Sequence, residues 1–140
     1  MRKILLDTNV ILDIALNRQP FFQEAEKVFL LLESSQLIAY VSASTITDIY
    51  YITRKAKGHS LAINFLKDLL QFVEVAGVDH SIILSAIAMQ SPDFEDAVQM
   101  SAAAAIQVDF IITRNQPDFS ASPIPVYSPA DFLSFWNQKS

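Results

Sequence analysis

The sequence predicts an α/β fold: a parallel sheet with helices covering both faces. Three observations carry that reading. Short apolar runs at residues 3–6, 37–41, 72–75, 110–112 and 125–127 alternate with longer segments whose apolar residues recur at helical spacing. The first run, Ile4-Leu5-Leu6, lacks the polar alternation of a half-exposed strand, as expected where both faces are covered. Two runs stop abruptly in polar residues, Asp7-Thr8-Asn9 and Thr113-Arg114-Asn115. With right-handed crossovers both sets open onto the same edge of the sheet, where open parallel sheets bind ligands.

Taken in order, residues 3–6 form the first strand, and Thr8 or Asn9 caps a short helix over 10–16. Pro20 suits the first position of a helix over 20–34, whose apolar stripe is Phe21, Ala25, Val28, Phe29 and Leu32. Leu37 to Val41 is the second strand. Ser42 or Ser44 caps a helix running to Lys57, with Gly58 as its stop. An amphipathic helix over 60–72 follows, through Leu61, Phe65, Leu66 and Leu69, then a third strand from Phe72 to Val75 ended by Gly77. Asp79 caps a helix over 80–89. Ser91-Pro92-Asp93 opens another, whose alanines at 102–105 suit close backbone packing. Phe110-Ile111-Ile112 is the fourth strand, Gln116-Pro117 a turn and Pro125-Val126-Tyr127 the fifth strand. Ser128-Pro129 caps a last helix bearing Phe132, Phe135 and Trp136.

One hundred and forty residues fit one domain, expected over 1–140, and 51% apolar against 18% charged residues leaves little room for disorder. No apolar run reaches ~18 residues, so no membrane span is expected. The start lacks the apolar core of a signal peptide, and the absence of cysteine excludes disulfides and thiolate metal sites, so the expected location is cytoplasmic. A net charge of −5 argues against nucleic-acid binding by bulk electrostatics. Three of the ten basic residues nevertheless cluster in Arg54-Lys55-Ala56-Lys57, which serves equally as a cation-rich helix C-terminus.

The acids decide the chemistry. Asp7 is either a cap at a strand end or a functional carboxylate. Asp48 flanks the Thr45/Ile49/Ile52 stripe of a largely apolar helix, where a carboxylate reaches solvent or else needs a partner or a metal. Asp93, Glu95 and Asp96 crowd one helix start, which the helix dipole alone explains; Asp93 and Asp96 share a face, while Glu95 points about 100° away. Asn115 and Asp118 suit a turn. Were three or four of these carboxylates gathered within ~5 Å, each pair would repel by on the order of 3 kcal/mol at an effective dielectric near 20. They are therefore spread apart or neutralised by a hard cation. Oxygen donors without a cysteine or a histidine pair select Mg²⁺ or Mn²⁺, ions that activate water and stabilise charge on a phosphoryl oxygen.

On Leu5-Leu6-Asp7-Thr8-Asn9-Val10, Ser44-Thr45-Ile46-Thr47-Asp48, Asp93-Phe94-Glu95-Asp96-Ala97 and Ile112-Thr113-Arg114-Asn115 with Asp118-Phe119 behind it, the sequence resembles the PIN domain family. Within it, the resemblance is to the small VapC-type toxins of bacterial and archaeal toxin–antitoxin pairs, and it spans essentially the whole chain. It implies a three-layer α/β/α fold with a five-stranded parallel sheet in order 3-2-1-4-5, and an Mg²⁺- or Mn²⁺-dependent endoribonuclease. Carried over by position, Asp7 ligates metal. Asp48 stands where the family more often has Glu. Asp96 is the third acid, with Asp93 as helper. Asn115 stands where many members have Asp, so a fourth carboxylate has to come from Asp118. Thr113 steadies the first acid, with Thr8 and Asn9 in support. Separately from the resemblance, a nuclease mechanism would have Arg54, Lys55 and Arg114 steer the RNA backbone. The resemblance also implies a homodimer covered by a small antitoxin.

Three other readings compete. A phosphoacceptor receiver domain needs an acid pair after the first strand and a lysine after the fifth, and the chain has neither. A haloacid-dehalogenase-like phosphatase needs acids at both 7 and 9, but residue 9 is Asn9. A PIN-like fold without activity, binding protein or RNA, is supported by Asp48 and Asn115.

Overall fold

Ile4 and Leu6 of the first strand face one helical layer while Leu5 faces the other, and all three are fully buried. The computed structural model describes residues 1–34 and 36–139. Its strands are β1 (Arg2–Leu6), β2 (Leu37–Ser42), β3 (Val73–Ala76), β4 (Phe110–Ile112) and β5 (Val126–Tyr127). They form one parallel sheet in the order β3-β2-β1-β4-β5, the order the resemblance implies. From β1 the chain runs outward through β2 and β3, then returns past β1 to β4. The strand order therefore reverses between β1 and β4, where a crevice opens at the carboxyl ends.

The helices are α1 (Thr8–Ala15), α2 (Phe22–Glu33), α3 (Ala43–Lys57), α4 (His59–Leu69), α5 (His80–Met89), α6 (Phe94–Ala105) and α7 (Pro129–Lys139). α1 to α4 and α7 pack on the face carrying Ile4, Leu6, Ala39, Val41, Phe110 and Ile112, with Val10, Val28, Ile49, Leu69 and Phe132 at the centre of that core. α5 and α6 cover the other face, where Leu5 and Ile111 meet Met100, Ala103 and Phe119. Ala97, Val98 and Ala102 of α6 pack against Ala76, Ile82 and Ala86. Small side chains there permit the close packing read from the alanine run. Each large buried aliphatic residue contributes roughly 1.5–3 kcal/mol of transfer free energy.

Several boundaries move. α1 begins at Thr8, two residues earlier than expected, with Asp7 at its N-cap making no side-chain cap bond because that carboxylate is held elsewhere. Pro20 precedes α2 instead of opening it. Phe22 N–H closes the turn onto Arg18 O, and Phe21, expected in the core stripe, is 41% exposed and lies under Arg114. α4 ends at Leu69, short of 72, because the chain turns there into β3, and Leu61 faces outward. Ser42, not Ser44, caps α3, accepting from Thr45 N–H at 3.3 Å. Gly58, at φ 90°, serves both the end of α3 and the start of α4. Asp79 and Ser128 cap α5 and α7 as their spacing predicts.

Candidate functional site

Leu6 is in register with Ile112, so the next residue on each strand, Asp7 and Thr113, emerge side by side. At that point opens a cavity of about 300 Å³ into which six carboxylate residues face: Asp7, Asp48, Asp93, Glu95, Asp96 and Asp118. Thr8, Asn9 and Asn115 complete its polar wall, and among the described residues neither lysine nor arginine lines it. α3 delivers Asp48, the start of α6 delivers Asp93, Glu95 and Asp96, and the segment after β4 delivers Asn115 and Asp118. Residues 90 and more apart in sequence thus converge at the edge where β1 and β4 end.

Asp7 is held from both sides: Thr113 Oγ1 donates to Oδ2 at 2.7 Å, and Gln99 Nε2 donates to Oδ1 at 3.0 Å. Burial pushes its carboxyl up from the ordinary range, while the hydroxyl, the amide, the Thr8 N–H and the Arg114 charge oppose the rise. A carboxylate oxygen accepting one bond keeps a second lone pair, so Asp7 can still face a cation. Thr8 Oγ1 pairs with Thr45 Oγ1 at 2.9 Å and donates to Glu95 Oε1 at 3.3 Å. Ser42 and Ser44 extend this chain of hydroxyls beneath the cavity.

The α6 acids respond to one another. Burial, followed by the negative charges of Asp93, Asp7 and Asp118, pushes Asp96 up to about 7. Glu95 likewise rises to about 7, through burial, then through hydrogen bonding and charge repulsion with Asp48. Asp93 caps α6, accepting from Asp96 N–H at 3.1 Å. Burial is the larger cause of both shifts, and surplus negative charge facing one space adds to it.

Asp7, Asp48, Asp96, Asp93, Asn115, Asp118, Thr8 and Asn9 all border this cavity, and Thr113 lies directly beneath it. The α3 stripe differs from expectation: Thr45, Ile49 and Thr53 are buried, while Ile52 is exposed beside Asp48 on the cavity wall. Arg54 and Lys55 are exposed further along α3, outside the cavity. Arg114, expected to steer RNA, is bonded to Asp13. Asp13 is almost fully buried, and burial of that carboxylate demands a charged partner.

Three residues escaped sequence reasoning. Glu95 reaches the cavity despite its offset from Asp93 and Asp96, because first-turn side chains lean towards the helix N-terminus and surround it. Gln99 sits one turn inward from Asp96. The only hint was an amide within a small apolar helix. Asp13 was marked by a lone acid in Val10-Ile11-Leu12-Asp13-Ile14, a signal that names no partner.

The donor set suits a hard divalent ion, since among the described residues every polar side chain lining the cavity offers oxygen or amide and none offers sulfur or imidazole. Among the described residues, no group of three His, Asp or Glu side chains already stands close enough together to hold an ion.

A family model described as "PIN domain" matches residues 3–117. The fold is similar to DNA-bound VapBC from Salmonella typhimurium, with 17% identity over 92% of this chain and 99% of that one, at a TM-score of 0.70. A toxin–antitoxin complex from Klebsiella pneumoniae gives 22% identity, 90% and 97% coverage and a TM-score of 0.69. VapC20 of Mycobacterium tuberculosis, a toxin cleaving the sarcin–ricin loop, gives 15% identity, 77% and 86% coverage and 0.63. No curated protein matches the chain.

Proposed function

Because the chain belongs to the PIN domain family, we propose that it is a metal-dependent endoribonuclease acting as the toxin of a toxin–antitoxin pair. The observation that carries this reading is the convergence of six carboxylate residues on one cavity without a facing cation. Asp7, Asp96 and the Asp48–Glu95 pair are the residues that hold Mg²⁺ or Mn²⁺, with Asp93 and Asp118 in support. A bound divalent ion supplies an activated water and neutralises charge on the phosphoryl oxygens of RNA. The protein's part is to orient. Thr113 and Gln99 fix the Asp7 carboxylate, and Thr8 steadies Glu95.

The departures at Asp48 and Asn115 are offset from neighbouring positions. Glu95 brings a longer carboxylate alongside Asp48, and Asp118 brings one to the wall that Asn115 occupies. That favours an active enzyme over a degenerate binding module.

Partners belong to the same reading. Resemblance to toxin–antitoxin complexes supports a small antitoxin, and an acidic cavity suits a cationic side chain from it. A homodimer is supported by α5, whose Leu84 and Ile87 are more than half exposed. We assign all 140 residues to one domain working in the cytoplasm. Among the described residues, no helix is long and apolar enough to cross a membrane.

RNA cleavage by the purified protein, measured with Mn²⁺ and with EDTA, tests the activity. Cleavage with Mn²⁺ alone, lost in Asp7→Asn, is the expected result; equal cleavage under both conditions rejects it.

A further inference from the structure

We propose that the Asp13–Arg114 pair, roofed by Phe21, is a positioning device that holds the Thr113–Asn115 segment in place against the Asp7 cavity. It rests on the nuclease reading only for what that segment is positioned to do.

Asp13 is 1% exposed among the apolar residues of α1, where an unpaired carboxylate is not tolerated. Arg114 answers it with two parallel bonds, Nε to Oδ2 at 2.8 Å and Nη2 to Oδ1 at 3.0 Å. That fork fixes orientation as well as distance, which a single ammonium does not. The guanidinium carbon lies 4.0 Å from the centroid of the Phe21 ring, a cation–π contact that shields the pair. Arg18 Nη1 stands further off, 3.8 Å from Asp13 Oδ1.

The location gives the pair its role. Arg114 lies between Thr113, which bonds Asp7, and Asn115, which lines the cavity. Thr113 holds α1 at its beginning and Arg114 holds it at Asp13, a helical rise of about 9 Å away. One attachment would leave the segment free to pivot about Asp7, whereas two fix it. Its bonds elsewhere run from Thr113 N–H to Tyr127 O at 2.9 Å, from Asn115 N–H to Thr113 Oγ1 at 3.0 Å and from Asp118 N–H to Asn115 O at 3.0 Å, and none of these ties it to α1. The Arg114 charge thus works inside the protein, to hold Thr113 and Asn115 in register with Asp7.

The test uses the full chain carrying Arg114→Lys, Asp13→Asn, both together, and Phe21→Leu. Three quantities are read: amide hydrogen exchange at Thr113 and Asn115, Mn²⁺ affinity by titration calorimetry, and kcat and KM for RNA. Arg114→Lys is expected to speed exchange and weaken Mn²⁺ binding about tenfold, the usual effect of an outer-sphere support. kcat should fall with KM unchanged. Asp13→Asn should behave alike, the double variant should be no worse than either single one, and Phe21→Leu should shift all three in the same direction by less. Should a polar variant fail to fold, Phe21→Leu decides. Unchanged exchange at Thr113 and Asn115 in folded variants overturns the proposal, as does a raised KM with unaltered Mn²⁺ affinity, the signature of a direct RNA contact. If the wild type binds no Mn²⁺, the nuclease reading fails while the exchange measurement still judges the pair.

Discussion

Thr113 Oγ1 donates to Asp7 Oδ2 at 2.7 Å, although 106 residues separate the two in sequence. The adjacent register of β1 and β4 makes the contact, and burial of both residues makes it strong. In Thr113→Val the shape is retained and a buried carboxylate loses one donor, a loss costing roughly 1–3 kcal/mol where the acceptor remains ionised. The carboxyl of Asp7, already raised by burial, should rise further. Mn²⁺ affinity at pH 7, measured by calorimetry, should fall at least severalfold; affinity equal to wild type would remove Thr113 from the site.

Glu95 and Asp96 both titrate near 7 in the folded protein, above their ordinary values of 4.5 and 3.8. A carboxyl raised on folding contributes stability that is present in full below its unfolded pKa and is lost as pH rises through the folded one. Metal-free protein should therefore lose stability between about pH 4 and pH 7. Glu95→Gln and Asp96→Asn should melt a few degrees higher than wild type at pH 8 and level with it at pH 4. Mn²⁺ should stabilise the wild type more at pH 8 than at pH 5, because the ion competes with protons for the same oxygens. Thermal melts across pH, with and without the ion, check both statements, and a pH-independent difference would contradict them.

Lys55 follows Asp48 by seven residues, so it lies on the same face of α3 about 10 Å along the axis from the cavity. Under the proposed nuclease function, its exposed ammonium and the guanidinium of neighbouring Arg54 would meet a phosphate away from the cavity. Arg54→Ala and Lys55→Ala should each raise KM for RNA while leaving kcat and Mn²⁺ affinity unchanged, and each should lower the salt dependence of binding by about one charge. A fall in kcat at constant KM would place these residues elsewhere in the mechanism.

Much of the fold is legible along the chain because its signals are local. The unalternating run Ile4-Leu5-Leu6, the caps at Asp79 and Ser128 and the stop at Gly58 each depend on neighbours a few residues away. Asp7 and Asp96 stand out for the same reason, one ending a strand and the other opening a helix. Phe21 and Pro20 were misplaced because helical periodicity cannot foresee a guanidinium, 93 positions further on, stacking on the ring.

The sequence by itself determined that a buried parallel sheet would carry Asp7, Thr113 and their polar neighbours to one edge, since strand burial and crossover handedness require it. Only the tertiary structure decided which side chains face that edge and which serve each other. Glu95 joins the cavity because the helix end, not the helical wheel, directs it. Gln99 and Thr113 take Asp7, while Arg114 goes to Asp13. The physical reason is that a buried charge takes the complementary group that packing brings within hydrogen-bond reach.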